Sequence, residues 1–171
     1  MIVRAQLPAR LERLRRRSVA DAADGVPAHL TLLYPFVHPD RLDAGVRRAL
    51  ADVAVRHRPF EYDLAGNARW PDTVYVRVDP EAPFARLQAD LARRFPEFPL
   101  YGGEAFSYVP HVTVAEGGAV NDAATLDDPG WAALPMRARA SSIDVIARTA
   151  SGRWRTRWRI RLGGPARSGR R

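Results

Sequence analysis

The chain has 171 residues, 27 Lys+Arg against 19 Asp+Glu, and no cysteine. A chain of that length buries roughly 70% of its unfolded surface, so it needs no staples, and the missing cysteines exclude structural disulfides and thiolate metal sites. No run approaches the ~18 apolar residues of a membrane span, and Met1-Ile2-Val3-Arg4-Ala5-Gln6 has no signal-peptide apolar stretch, so a soluble cytoplasmic protein is expected. All 27 basic residues are arginine, and eight of them (153, 155, 157, 159, 161, 167, 170 and 171) fall in a C-terminal stretch without an acid. The other 19 balance the 19 acids. The positive excess therefore belongs to the C-terminus, which argues against a protein that is basic all over.

In chain order, Ile2–Leu7 reads as a short strand ended by Pro8. Residues 9–20 form a helix anchored by Leu11 and Leu14, with Arg10, Arg13, Arg15, Arg16 and Arg17 read as its solvated face. Asp24-Gly25-Val26-Pro27 turns into a strand at His29-Leu30-Thr31-Leu32, which Pro35 closes. After a loop at His38-Pro39-Asp40, where Asp40 or a neighbour caps, Leu42, Val46, Leu50 and Val53 recur at helical spacing through residues 41–57. His57 suits the last turn of that helix and is given no functional role.

Strands follow at Phe60-Tyr62-Leu64 and at Val74-Val76-Val78, then a helix with Phe84, Leu87, Leu91 and Phe95 on one face. A loop at Pro99, Gly102 and Gly103 precedes a strand at His111-Val112-Thr113-Val114, which ends at Glu116-Gly117-Gly118. Residues 119–130 read as loop with little helix. The chain closes with a hairpin, 140–148 and 153–162, turning at Ser151-Gly152. In its last strand Trp154, Thr156, Trp158, Ile160 and Leu162 are expected inside. Arg153, Arg155, Arg157, Arg159 and Arg161 are expected outside, as a solvated face or a polyanion platform. Residues 163–171 are expected to be a basic disordered tail, leaving 1–162 as one domain. The element order favours an α+β fold with antiparallel sheets and helices on one face of each.

The strongest signal is a repeat. Pro27-Ala28-His29-Leu30-Thr31 returns 82 positions later as Val109-Pro110-His111-Val112-Thr113, in a chain with only four histidines. Alternate residues of a strand share a face, so each copy sets an imidazole beside a hydroxyl and buries aliphatics behind them. Because each copy follows a helix and a Gly/Pro loop, the two suggest similar lobes facing each other. A single such histidine is most simply a hydrogen-bonded core group; the doubling argues against that. Phosphodiester cleavage needs one proton taken from the nucleophile and another given to the leaving oxygen. Imidazoles titrate in the range that allows both, and hydroxyls can donate to the non-bridging oxygens. His29 and His111 are thus candidate catalytic residues, with Thr31 and Thr113 as phosphate-binding residues. Such a site needs no metal or other cofactor, and no metal-ligand spacing of the H-E-x-x-H kind occurs.

The two His-x-Thr strands, the upstream prolines and the order of elements resemble the two-histidine (2H) phosphoesterases, in the 2′-5′ RNA ligase-like and cyclic phosphodiesterase branch. The resemblance covers about residues 1–162. It implies a bilobal fold with two antiparallel sheets, helices on the outer faces, and a central cleft with both motifs on its floor. It implies hydrolysis of 2′,3′-cyclic phosphates or 2′-5′ linkages on RNA ends or small nucleotides, with ligation as the reverse reaction. Tyr34, Phe36 and Tyr108 are read first as core or cleft wall and, as the alternative, as candidates for base stacking. Arg69, Arg77 and Arg153 are candidates for further phosphate contacts. A monomer is expected. The alternative is a non-catalytic RNA- or nucleotide-binding module that uses the cleft and the arginine-rich last strand.

Overall fold

Each sheet of the protein carries one His-x-Thr strand at its edge, and the two edges lie side by side. The computed structural model describes residues 1–103 and 107–164. Its strands are β1 (Ile2–Arg4), β2 (His29–Thr31), β3 (Phe60–Trp70), β4 (Thr73–Asp79), β5 (His111–Glu116), β6 (Met136–Ala140), β7 (Ser142–Arg148) and β8 (Trp154–Arg161). They form two four-stranded sheets in the orders β2-β1-β7-β8 and β5-β4-β3-β6, with every pairing antiparallel. β2 and β5 contact each other where the sheets meet. The α+β fold of two antiparallel sheets and helices is as expected.

The helices form where apolar side chains recur at three and four residues. In α1 (Ala9–Ser18) the buried set is Leu11, Leu14 and Arg15, and α1 packs on β5. The chain breaks at Val19 into a short α2 (Ala20–Ala23) rather than continuing as one helix to residue 20. In α3 (Ala44–Ala54) Leu50 and Val53 are buried, and the cap is Asp43, whose Oδ1 accepts the Val46 amide at 2.8 Å. Asp40 instead lies in a 3-10 turn over Pro39–Arg41. α4 (Ala82–Arg94) buries Phe84, Leu87 and Leu91 and packs against α3. The His57 ring joins these two helices through a 2.9 Å contact from Nε2 to Asp90. One hydrophobic cluster runs through both sheets and through α1, α3 and α4. A one-turn α5 (Ala123–Leu126) sits in the segment read as loop. No helix of the described residues is long and apolar enough to cross a membrane.

Two further features depart from the sequence reading. Met136–Ala140 is a strand, paired along its length with β3; its alternating Met-Arg-Ala-Arg-Ala pattern is short and offers few strand formers. The last strand is also not one continuous alternation. Val145 pairs with Trp158 but Ile146 pairs with Thr156, so Arg157 is an extra, bulged residue. Arg4 confirms the shift in facing: its Nε binds Asp144, which also holds Arg159, while its Nη2 donates to Thr156 Oγ1 at 2.5 Å. A one-residue bulge swaps the faces. Trp158, Ile160 and Leu162 face the core, whereas Trp154 and Thr156 join the opposite face. From residue 165 onward, the expected tail lies outside the described residues.

Candidate active site

Strand register brings the two motifs into equivalent settings. Arg4 pairs with His29 and Ile2 with Thr31 in one sheet; Arg77 pairs with His111 and Tyr75 with Thr113 in the other. Leu30, Val112 and Val114 are fully buried behind them. His29 Nδ1 lies 2.8 Å from the Pro27 carbonyl, and His111 Nδ1 lies 2.8 Å from the Val109 carbonyl. A carbonyl can only accept, so Nδ1 donates in both rings, and Nε2 of each neutral imidazole is the nitrogen left to take up a proton.

His29, Thr31, His111 and Thr113 all line one cavity of about 640 Å³. Burial pushes the His29 imidazole down to about 4; its carbonyl partner opposes this, and the positive charge of Arg15 adds to it. Burial lowers His111 as well, against the pull of the Val109 carbonyl.

The other candidates fall in different places. Tyr34, 53% exposed, and Phe36 line the cavity. The Phe36 ring meets Phe95 and Phe98 edge-on, with centroids at 5.2 and 5.3 Å, which makes it a wall anchored in the core. The Tyr108 hydroxyl donates to the Thr31 carbonyl at 2.9 Å and so braces the first motif from behind. Arg77 is exposed on β4, directly across from His111. Arg69 pairs with Val74, which points away from the motif face, and donates instead to Asn121 at 2.8 Å. Arg153 donates to the Ala23 carbonyl at 2.9 Å and does not line the cavity. Of the arginines of the last strand, Arg159 is held by both oxygens of Asp144, while Arg155, Arg157 and Arg161 are exposed.

Several residues at the site were not singled out by the sequence reading. Arg15, assigned there to a solvated face, is only 2% exposed and lines the cavity. Its Nη1 donates to the Val26 carbonyl at 3.0 Å and lies 3.8 Å from Glu12. The signal was available, since Leu11, Leu14 and Arg15 make one stripe at helical spacing. Trp70 and Tyr75 pack edge-on around His111, with centroids at 4.7 and 5.3 Å. Glu116 and Tyr101 complete that side of the cavity, and burial raises the Glu116 carboxyl against the opposing charge of Arg15. Among the described residues no group of three or more His, Cys, Asp or Glu could hold a metal ion.

Arg15→Gln is expected to raise the pKa of His29, because removing a nearby positive charge makes the imidazolium less costly. Titrating the ring resonances by NMR checks this, and an unmoved or lowered His29 would show that Arg15 does not act on it.

Residues 3–152 match the model of the 2′-5′ RNA ligase superfamily. No curated protein matches the chain. Among solved structures, TT0787 of Thermus thermophilus is similar with a TM-score of 0.62 at 17% identity, over 96% of this chain and 97% of that one. A phosphoesterase gives a TM-score of 0.57 at 21% identity, covering 94% of this chain and 95% of that one. E. coli LigT in its apo form gives 0.52 at 18% identity, over 94% of each chain. The fold is shared across these structures, and with the family match over most of the chain, the protein belongs to the 2′-5′ RNA ligase superfamily of two-histidine phosphoesterases.

Proposed function

We propose that the protein is a metal-independent phosphoesterase that opens 2′,3′-cyclic phosphates, or cleaves 2′-5′ phosphodiesters, on RNA ends or small nucleotides. It would act as a cytoplasmic monomer without a cofactor. The observation that carries this reading is the matched pair of imidazoles. Each is fixed by Nδ1 to a backbone carbonyl at 2.8 Å, each has a threonine two residues on, and both line the same cavity. In hydrolysis of the cyclic ester one Nε2 takes a proton from the attacking water as its oxygen bonds to phosphorus. The other imidazolium gives its proton to the departing ribose oxygen as the P–O bond breaks, leaving a phosphomonoester. The Thr31 and Thr113 hydroxyls donate to the non-bridging oxygens, whose charge grows in the transition state.

The test is turnover of a nucleoside 2′,3′-cyclic phosphate with a chelator present. Release of the monophosphate at an undiminished rate is expected; activity that appears only on adding a divalent metal would overturn the mechanism. The pH dependence carries a sign. Both histidines are lowered from 6.5 in the free protein, so the form with one neutral and one protonated ring is lost as pH rises through that range. The kcat/KM profile should therefore peak on the acid side of pH 6.5. The kcat profile should sit at higher pH, because a bound phosphate favours the imidazolium. A kcat/KM still climbing above pH 7 would contradict this assignment.

A further inference from the structure

The segment that carries the chain from α4 into β5 reaches back and holds the first motif at three points. The Tyr108 hydroxyl donates to the Thr31 carbonyl at 2.9 Å. The Tyr101 amide donates to the Tyr34 carbonyl at 2.7 Å, and the Tyr101 phenol hydrogen-bonds the Thr31 hydroxyl. Among the described residues Tyr101 is also the one non-glycine with positive φ, at φ 50° and ψ 37°. A bulky side chain in that left-handed region is strained, and it persists only where its surroundings over-determine it. Here the surroundings are those of the site, because Tyr101 lines the same cavity as His29, Thr31, His111 and Thr113.

The direction of the Tyr101–Thr31 bond follows from what each hydroxyl must do. Thr31 has one hydroxyl proton and two lone pairs, and as a phosphate ligand it gives that proton to a non-bridging oxygen. Towards Tyr101 its oxygen can then only accept. Burial pushes the phenol above its ordinary value, against the pull of Thr31, so at neutral pH the phenol keeps its proton and donates it. A bond donated into a hydroxyl fixes its rotor and strengthens the bond that the hydroxyl donates onward. We infer that Tyr101 is a positioning residue for the reaction, aiming the Thr31 proton at the non-bridging oxygen whose charge grows as the ester opens. The inference rests on the phosphoesterase reading and deepens it, since it makes the two threonines unequal: the first is oriented by a phenol from the loop before the second motif.

The experiment is a cycle of variants turning over a nucleoside 2′,3′-cyclic phosphate: Tyr101→Phe, Thr31→Val and the two together, with Tyr101→Phe on Thr113→Val as the comparison. Tyr101→Phe keeps the ring and the amide bond to Tyr34 and removes the hydroxyl alone. Its kcat is expected to fall about 3- to 10-fold with KM nearly unchanged, the worth of one hydrogen bond that matters most in the transition state. On Thr31→Val the same change should have no further effect, whereas on Thr113→Val it should keep its full factor. A Tyr101→Phe protein as fast as wild type would overturn the inference. So would a loss that persists on Thr31→Val, because a phenol that touched the substrate itself, or only braced the loop, would still be missed there. Should wild type cleave no such ester, the phosphoesterase reading fails on its own. Calorimetric binding of a nucleoside 3′-phosphate, whose dianion resembles the developing charge, then reads Tyr101 directly. A loss of affinity in Tyr101→Phe that is absent on Thr31→Val supports the role; equal affinities, or no binding by wild type, overturn it.

Discussion

Replacing His111 by alanine is expected to lower turnover of a 2′,3′-cyclic phosphate by about 10² to 10⁴, the usual worth of one general acid or base. His29→Ala should fall in the same range. The two losses should not multiply in the double variant, because the pair transfers protons as a unit and the remainder comes from phosphate binding. Neither change should unfold the protein. Each imidazole makes one hydrogen bond, to a carbonyl two residues upstream, and the aliphatic residues behind the rings stay in place. Unchanged circular dichroism and thermal melting would separate lost chemistry from lost structure. Retention of more than about a tenth of wild-type turnover in either variant would remove that histidine from proton transfer, since a true acid or base is worth at least 10².

The second large effect concerns stability. Asp144 is fully buried. Arg4 reaches it at 2.6 Å, and Arg159 binds it in bidentate fashion at 2.9 Å. Burial by itself would raise its carboxyl, but the hydrogen bonds and charges of Arg159 and Arg4 outweigh this and hold it below the usual carboxylate range. Removing both arginines, as Arg4→Met with Arg159→Met, strands a charge in the interior and is expected to cost about 3–5 kcal/mol, a fall in Tm of roughly 6–20 °C. Asp144→Ala should cost less, about 1–3 kcal/mol. The arginines it releases are 43% and 53% exposed and can turn to water.

The pH dependence of the two proteins should have opposite signs. In wild type the folded pKa of Asp144 lies below 3.8. Its contribution is therefore present above that value and lost as pH falls through the folded pKa. In the double variant only the Ser142 hydroxyl, 3.4 Å from Asp144 Oδ1, still opposes burial, which then raises the folded pKa above the unfolded one, so stability should improve as pH falls from 7 toward 5. Urea melts at pH 5 and 7 decide the point. A double variant as stable as wild type at pH 7 would mean that the carboxylate finds another partner.

How much of this was legible in the chain varies by element. α3 and α4 were visible because their apolar residues repeat at helical spacing, and that rule acts within a few residues. The paired motif was visible because a strand sets alternate side chains on one face wherever it lies. β6 was missed because its residues are small or charged apart from Met136, and its only strong reason to extend is pairing with β3. Arg15 was misassigned because a guanidinium is ordinarily solvated, and only the packing of α1 on β5 makes its face interior.

By itself, then, the amino-acid order determined the local periods, the two imidazole–hydroxyl couples and the confinement of excess charge to the C-terminus, all of which depend on neighbours in the chain. Tertiary structure decided that β2 and β5 are edge strands laid side by side, that Asp144 removes Arg159 from any open platform, and that one bulge turns Trp154 toward the cavity. These depend on contacts between residues far apart in the chain: Arg4 with Asp144 across 140 positions and Trp154 with Asp21 across 133. No local rule encodes such partners, because they are chosen by which buried surfaces fit.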